Sequence, residues 1–181
     1  MNALLLLLSS LVSPAEAAPG RFTVGGTVGA APGIAVDGSD TLHWRPALRA
    51  TADYGLTRRL SLTAEVGTVP GVRGIAGAFG PQLEVVDSRW WRLGLVLLPE
   101  LQVPFQETET LADNLDLRTW IPDGPRVVAH TGARASWLAF WGVSVTARLD
   151  YVQPFTAGVG GTEAGLELGW MELGTGLSFR M

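Results

Sequence analysis

The C-terminal segment, residues 173–181, alternates at every position between two kinds of side chain. One set is mostly large and apolar: Leu173, Thr175, Leu177, Phe179 and Met181. The other set is small or charged: Gly174, Gly176, Ser178 and Arg180. Successive side chains of a β-strand point to opposite faces, so this pattern predicts a strand with one apolar face. Such a strand is typical of one that has lipid on one side and a polar lumen on the other.

Seven further segments share this two-residue period. The predicted strands cover residues 20–29, 44–54, 60–66, 77–86, 91–103, 127–137 and 143–151, and the last begins within 163–170 and ends at 181. Their connections alternate between long and short, beginning and ending with a long one. This pattern predicts an all-β fold, an eight-stranded antiparallel up-and-down transmembrane β-barrel with both termini at the short-turn end. The alternation changes phase between Trp170 and Leu173, which predicts a bulge there or a later strand start.

The composition favours a barrel over a soluble domain. Hydrophobic residues make up 47% of the chain and charged residues 17%, yet no apolar run reaches the ~20 residues of a transmembrane helix. A membrane barrel spreads its apolar residues over every second position. The alternative is a secreted two-sheet sandwich, which would also alternate. We favour the barrel because a sandwich would keep its charged residues facing water and would not need this much apolar surface.

Residues 1–18 are predicted to be a secretory signal peptide, which leaves residues 19–181 for the barrel. An apolar run occupies residues 4–12, Pro14 interrupts it, and Ala15-Glu16-Ala17 resembles a cleavage site. The chain has no cysteine, which excludes disulfides and a cysteine-linked lipid anchor, so stability must come from barrel closure and packing. A net charge of −4 argues against nucleic acid as a partner.

Four features together carry a family resemblance: the signal segment, the eight strands, the turn YGLTRRL at residues 54–60 and the ending GTGLSFRM at residues 174–181. With them the chain resembles the small eight-stranded outer-membrane β-barrel proteins of Gram-negative bacteria. The resemblance implies outer-membrane localisation, contact with outer-membrane lipids and recognition of the C-terminal strand by the barrel-assembly machinery. In that family the last residue is usually Phe or Trp, whereas here it is Met181, with Phe179 two positions earlier. We expect a monomer.

Charged residues recur at inward positions of the predicted strands. The predicted lumen charge network consists of Arg45, Arg49, Glu65, Glu84, Arg92, Glu100, Arg134, Arg148 and Asp150. His130 and Glu167 also fall on the inward face. The interior of an eight-stranded barrel is just wide enough for side chains to fill it. An unpaired buried charge is costly, so we expect these groups to pair with one another rather than to line a pore or a ligand site.

Aromatic residues cluster near the ends of the predicted strands. Six lie near the short turns: Phe22, Tyr54, Trp91, Trp137, Trp141 and Phe179. Trp44 and Tyr151 lie toward the long loops. Two aromatic bands that flank an aliphatic zone are typical of the girdles of membrane barrels.

The sequence contains no pattern that predicts catalytic, cofactor-binding or metal-binding residues. His43 and His130 are the two histidines, and neither has the spacing of a nucleophile–base pair. Lipid-deacylating members of the family carry a His-x-Ser pair, whereas position 132 here is Gly132. The acidic connection 104–125 lacks the spacing of a calcium-binding EF-hand loop. We therefore predict a structural or surface-interaction role without catalysis; the alternatives are a lipid-modifying enzyme and a narrow small-solute channel.

Overall fold

One antiparallel sheet that closes on itself contains all the strands that the structure describes. The structure, a computed structural model, describes residues 19–34, 42–69, 74–88, 90–105, 125–140, 142–156, 165–166 and 169–181. The strands are β1 (Phe22–Ile34), β2 (Leu42–Gly55), β3 (Leu60–Thr68), β4 (Gly74–Asp87), β5 (Trp91–Pro104), β6 (Arg126–Phe140), β7 (Val143–Thr156), β8 (Gly165–Leu166) and β9 (Trp170–Arg180). The predicted signal peptide, residues 1–18, lies outside the described residues and stays a prediction.

The eight long strands form a complete ring. From β1 to β7 each strand pairs with the next along the chain, and β9 pairs with both β7 and β1. The two-residue β8 continues the same edge of β7 beyond β9. Backbones approach closely at the closing seam, where a Cβ on Gly176 would lie 1.9 Å from the carbonyl oxygen of Gly26. The predicted eight-stranded antiparallel barrel is confirmed.

Side chains point alternately into and out of the barrel. On β5, Leu95 and Leu97 are 49% and 52% exposed, whereas Val96 and Leu98 between them are 3% and 0% exposed. Most inward side chains are polar or charged, and most outward ones are aliphatic or aromatic. Val96 and Leu98 are exceptions that pack with Ala78 in a small apolar cluster inside the barrel. The barrel therefore has an apolar exterior and a largely polar interior, the reverse of a soluble protein.

Three tight turns join the strands at one end. In the β2–β3 turn, Thr57 Oγ1 accepts hydrogen bonds from the backbone N–H groups of Arg59 at 3.2 Å and Leu60 at 3.0 Å. In the β6–β7 turn, Gly142 has φ of 81°, a left-handed conformation that favours glycine. Both chain ends of the barrel lie beside these turns, because Gly20 N donates to Gly55 O and Met181 N donates to Phe22 O. The predicted placement of both termini at the short-turn end is confirmed.

The strands extend further than the sequence predicts. β1 continues to Ile34 and β7 to Thr156, although the pattern predicts ends at residues 29 and 151. β3 and β4 also lengthen, which leaves only residues 69–73 between them. The prediction of a long third connection is therefore wrong, because the ladder extends into Gly-rich sequence that reads as loop. In the part of the chain that the structure describes, no helix has the length and apolar character needed to cross a membrane.

The change of phase near Trp170 lies before that residue. β9 begins at Trp170, and its pairing with β7 runs from Val152↔Trp170 without a shift. Beyond it, Phe155 pairs with Leu166, one position short of the partner that the β9 register would give. A bulge between Trp170 and Leu173 is therefore wrong, and β9 starts at Trp170, the last position of the predicted range 163–170. With Glu167 inward, an unbroken two-residue period places Trp170 on the outside, whereas its side chain is only 5% exposed.

Candidate functional site

A cluster of charged side chains fills the middle of the barrel. Inward positions on six strands supply it: Arg49 of β2, Glu65 of β3, Glu100 of β5, His130 and Arg134 of β6, Arg148 and Asp150 of β7, and Glu172 of β9. We call these eight residues the central cluster. They meet because the two-residue period turns them all inward and the ladder brings them to similar heights. Asp150, for example, lies opposite Glu172 on one neighbouring strand and Gly132 on the other.

Arg49 contacts three carboxylates at once. Its Nε donates to Glu172 Oε1 at 2.8 Å and its Nη2 donates to Glu172 Oε2 at 3.1 Å. Its Nη1 donates to Glu100 Oε2 and lies 3.9 Å from Glu65 Oε2. Two parallel N–H···O bonds from one guanidinium fix both distance and orientation. Arg49 therefore connects β2 to β9 and to β5 through the interior.

Glu65 holds two arginines from the opposite wall. Arg148 Nη1 donates to Glu65 Oε2 at 3.1 Å, and Arg134 Nη2 donates to Glu65 Oε1. Arg148 also donates to Asp150. β7 and β3 are four positions apart around the ring of eight long strands, so they face each other directly. The Arg148–Glu65 pair therefore crosses the full width of the barrel.

His130 lies between two carboxylates and is fully buried. Its Nε2 is 3.1 Å from Glu100 Oε2, and its Nδ1 is 3.7 Å from Asp150 Oδ2. The central cluster holds three guanidinium groups and four carboxylates, so a proton on both nitrogens of His130 makes the charges equal. The imidazole is enclosed by these partners, which is the arrangement of a structural histidine rather than of an exposed base.

Above the central cluster, toward the long connections, the interior is also filled. Gln102 Nε2 donates to Glu100 Oε1 at 2.7 Å, and Arg126 Nε donates to Gln102 Oε1 at 2.8 Å. The Arg126 guanidinium lies 5.2 Å from the centre of the Trp170 ring, a cation–π contact. Trp170 packs in an apolar cluster with Ala31, Val128 and Val152. Charged, amide and apolar layers thus follow one another along the axis.

Below the central cluster, toward the short turns, a second ionic group lies around a cavity. Arg21 is 3.8 Å from both Glu84 and Asp87, and Arg92 Nε donates to Asp87 Oδ1 at 3.1 Å. Gln82 Nε2 donates to Glu84 Oε1 at 2.7 Å. The cavity has a volume of about 60 Å³, room for about four or five water molecules. It ends against the underside of the central cluster.

The structure brings most of the predicted network together, but in two groups. Six of its residues belong to the central cluster: Arg49, Glu65, Glu100, Arg134, Arg148 and Asp150. Glu84 and Arg92 lie in the second group at the short-turn end. The side chain of Arg45 and the whole of Glu167 lie outside the described residues.

Sequence reasoning missed three charged residues that the structure places in these groups. Glu172 was overlooked because the phase was misjudged at Trp170; counting back in twos from Ser178 would have turned it inward. Arg21 lies within the first predicted strand, 20–29, where the same count from Thr23 points it inward, and directly precedes the observed β1. Asp87 was assigned to a turn, whereas β4 includes it.

The aromatic residues of the short-turn end lie on the outer surface. Exposed outward side chains there are Phe22, Tyr54, Trp91, Trp137 and Phe179. Trp91 and Trp137 are directly paired across β5 and β6 and stack with their ring centres 6.1 Å apart. Tyr151 is outward toward the other end, and its hydroxyl donates to Gln153 Oε1 at 3.0 Å. Trp141 and the side chain of Trp44 lie outside the described residues.

The arrangement of the described residues differs from the geometry of a metal centre. Within the described ranges, no three His, Asp or Glu side chains are placed to hold a metal ion. The acidic connection 104–125 lies almost wholly outside those ranges, as does the side chain of His43. What the described interior can do chemically is hold charge in fixed pairs and, in its lower cavity, hold water or a small polar group.

The fold is that of the transmembrane β-barrels. The N-terminal β-barrel domain of Pseudomonas aeruginosa OprF is similar over 90% of this chain and 99% of its own, with 16% identity and a TM-score of 0.57. Neisserial surface protein A (NspA) is similar over 88% and 97%, with 13% identity and a TM-score of 0.51. A designed transmembrane β-barrel covers 91% and 98%, with 13% identity and a TM-score of 0.50. The sequence matches no protein-family model and no curated protein.

Proposed function

We propose that this protein is an integral outer-membrane β-barrel with a structural or surface-interaction role, which conducts no solute and catalyses no reaction. The observation that carries the proposal is the combination of an apolar outer surface with an interior crossed by ion pairs. Neither half suffices alone, because apolar surface also occurs at protein interfaces and buried ion pairs also occur in soluble enzymes.

The outer surface supports membrane insertion. On β5 alone, Leu93, Leu95, Leu97 and Leu101 all point outward and are exposed. A contiguous apolar surface around a whole barrel far exceeds the patches that soluble monomers leave in water. Outer-membrane lipids are therefore the partner that we propose for this face, with the aromatic residues of the short-turn end at one membrane interface.

The strand pairing supports a monomer. β1 and β9 pair along eight residues, from Thr23↔Arg180 to Ala30↔Leu173. Closure of this seam satisfies the backbone groups that an open sheet would expose at its edges. One chain therefore completes its own barrel. The C-terminal β9, with Phe179 and Met181 exposed on the outside, is the segment that we propose the barrel-assembly machinery recognises.

The central cluster supports a barrel closed to solutes. Arg148 and Glu65 meet across the full width of the ring, and Arg49 links β2 with β9 and β5 at the same level. Eight-stranded barrels have interiors that side chains fill, whereas aqueous channels occur in barrels of about sixteen strands. A solute would have to separate several buried ion pairs, each costly to break.

The environment of His130 supports a role without catalysis. Its two ring nitrogens face Glu100 and Asp150 inside the barrel, and the side chain is fully buried. A lipid-hydrolysing histidine would need a hydroxyl partner and access to the lipid-facing surface. His130 has no hydroxyl hydrogen-bond partner among the described residues and is buried inside the barrel, so we assign it to the ionic network.

Fractionation and conductance test this proposal. The full chain, expressed in a Gram-negative host, should sediment with outer membranes and migrate faster on gels when it is not heated. The purified protein should give no conductance steps in planar bilayers. Unitary conductance would contradict the closed interior, and recovery only in soluble fractions would contradict membrane insertion.

The enzyme alternative has its own test. Host lipid composition should be the same with the wild-type protein, with His43→Gln and with His130→Gln, when the amounts of folded protein are matched. A lipid change produced by the wild-type protein and abolished by either substitution would establish the enzyme instead.

A further inference from the structure

The cavity at the short-turn end has an unusual lining. Arginine and hydroxyl side chains make up most of it, and three carboxylates, Asp53, Glu65 and Glu84, also reach it. All three carboxylates have partners within the barrel. Asp53 accepts a 2.6 Å hydrogen bond from Thr63, and Glu65 holds Arg134 and Arg148. Glu84 accepts a 2.7 Å hydrogen bond from Gln82 and lies 3.8 Å from Arg21. The wall that faces the mouth therefore presents mainly hydrogen-bond donors.

Three of the arginines, Arg21, Arg92 and Arg180, lie at the mouth, and we call them the mouth arginines. Arg21 precedes β1, Arg92 is near the start of β5, and Arg180 ends β9. Asp87 lies between two of them, 3.8 Å from Arg21 and 3.1 Å from Arg92. Among the described residues, Arg180 makes no side-chain hydrogen bond or ion pair. Glu84 and Asp87 compensate two of these three positive charges, and the one that remains, at Arg180, favours an anion at the mouth.

Buried polar atoms in the same lining also lack partners. Thr23 is 7% exposed and lines the cavity, and among the described residues its Oγ1 has no hydrogen-bond partner. Arg21 Nη1 also lacks a hydrogen-bond partner among the described residues, because its 3.8 Å separation from Asp87 Oδ2 is too long for a hydrogen bond. Buried donors of this kind are costly when they are unsatisfied. Glu84 Oε2, an acceptor in the same lining, also lacks a hydrogen-bond partner among the described residues. A ligand that accepts hydrogen bonds satisfies the Arg21 and Thr23 groups, and water or a protonated ligand oxygen satisfies Glu84.

We propose that the short-turn mouth is a binding site for a phosphate group, held by the mouth arginines and by neighbouring hydroxyls. Guanidinium groups suit phosphate because their N–H groups match its oxygens in geometry and charge. Ser136, Ser144 and Ser178 line the cavity and add hydroxyl donors. The cavity of about 60 Å³ holds about four or five waters, which is room for a tetrahedral oxyanion.

A groove adjoins the cavity, so a phosphate group has two routes to this site, one from water and one from a lipid headgroup. Arg92, Arg180, Ser136 and Ser144 line both the cavity and the groove, which continues to Trp90 and Leu138 at the rim. A free phosphate ion can enter from the aqueous mouth. The phosphate of a lipid headgroup can enter along the groove, with its acyl chains remaining outside beside the apolar surface.

Calorimetric titration of the protein, purified from membranes into octyl glucoside, tests the proposal. One arm adds inorganic phosphate, and the other adds dihexanoyl phosphatidic acid below its micelle concentration. We expect saturable binding in at least one arm. Arg180→Gln should weaken it about tenfold or more, because a hydrogen bond to a charged group is lost. Since Arg180 makes no ion pair among the described residues, this substitution should leave the barrel folded, as heat-modifiable mobility will show.

Arg58→Gln is the matched control. Arg58 is exposed in the β2–β3 turn, at the same end of the barrel but outside the cavity lining. Binding in both arms with loss only in Arg180→Gln supports a phosphate site open to either source, and binding of phosphatidic acid alone supports a headgroup site. Absence of saturable binding in both arms, or equal weakening by both substitutions, would overturn the proposal.

Discussion

The ionic network inside the barrel leads to a prediction about stability, which is sharpest at Arg49. Replacing Arg49 with Met keeps an unbranched side chain of similar reach and removes the guanidinium. Glu172 then loses both of its hydrogen bonds to Arg49, at 2.8 and 3.1 Å, and among the described residues keeps only the Arg148 guanidinium, 4.0 Å away. Glu100 keeps Gln102 at 2.7 Å and His130 at 3.1 Å. Glu172 is therefore the carboxylate that loses most of its compensation, because no hydrogen bond to it remains among the described residues.

The expected loss of stability follows from these contacts. Removing one partner of a buried ion pair destabilises a protein by about 3–5 kcal/mol, because a desolvated charge remains. Glu172 is only 1% exposed, so water does not replace the guanidinium without rearrangement. We expect Arg49→Met to lower the free energy of unfolding by about 4 kcal/mol, within this range.

Urea unfolding in lipid vesicles measures this loss, with tryptophan fluorescence and heat-modifiable mobility as independent readouts. Arg58→Met, on the exposed turn, is the control and should change the free energy of unfolding by less than about 0.5 kcal/mol. The double variant Arg49→Met with Glu172→Gln should be more stable than the sum of the two single effects predicts, by about 1–3 kcal/mol. A loss of less than about 1 kcal/mol on replacing Arg49 would show that the Arg49–Glu172 pair is not desolvated and would contradict this prediction.

Three further predictions concern the seam, the aromatic pair and the outer face. Gly176→Ala places a Cβ 1.9 Å from a backbone oxygen across the seam, so it should destabilise the barrel by about 3 kcal/mol or prevent closure, measured as the heat-modifiable fraction after refolding. A double-mutant cycle on Trp91→Ala and Trp137→Ala in urea unfolding should give a coupling of about 0.5–1.5 kcal/mol, from the stacked rings; zero coupling would contradict the pairing. Leu95→Arg should cost about 2–4 kcal/mol of stability in vesicles, because it places a charge in the lipid core.

Two of these predictions have matched controls in the chain. Gly77→Ala adds the same methyl group where nothing lies within 4 Å, so it should leave refolding unchanged. Leu56→Arg adds the same charge in the exposed β2–β3 turn, where the cost should be about 0–1 kcal/mol. Equal effects of Gly176→Ala and Gly77→Ala would contradict the seam, and equal effects of Leu95→Arg and Leu56→Arg would contradict the lipid-facing assignment.

The sequence predicts which side chains point into the barrel better than it predicts which of them pair across the interior. Two-residue periodicity is local, so Arg49 and Glu65 could be turned inward from their neighbours alone. Which carboxylate an arginine meets depends on how the strands are staggered around the closed ring. The contact between Arg148 and Glu65, 83 positions apart along the chain, is of this kind. No local pattern encodes it.

The ends of the strands were the other weak point. Pro154 lies within β7 and pairs with Val128, although proline and glycine suggested a loop at that point. On the other side of β7, the described pairings end at Val152 with β9 and resume at Phe155 with β8. Proline lacks the N–H group that a ladder needs, so it is tolerated beside such an interruption. Trp170 is a second departure from the expected pattern. Its large side chain at the start of β9 points inward and packs with Ala31, Val128 and Val152 near the long connections.

β5 faces lipid on one side and a filled interior on the other, and spin labels along it measure this directly. The chain contains no cysteine, so single cysteines at positions 95, 96, 97 and 98 can each carry a nitroxide label without interference. In vesicles, electron paramagnetic resonance should show high oxygen accessibility at 95 and 97 and low accessibility to both oxygen and an aqueous nickel chelate at 96 and 98. Uniform accessibility to the chelate along these four positions, or chelate access at 96 and 98, would contradict the account.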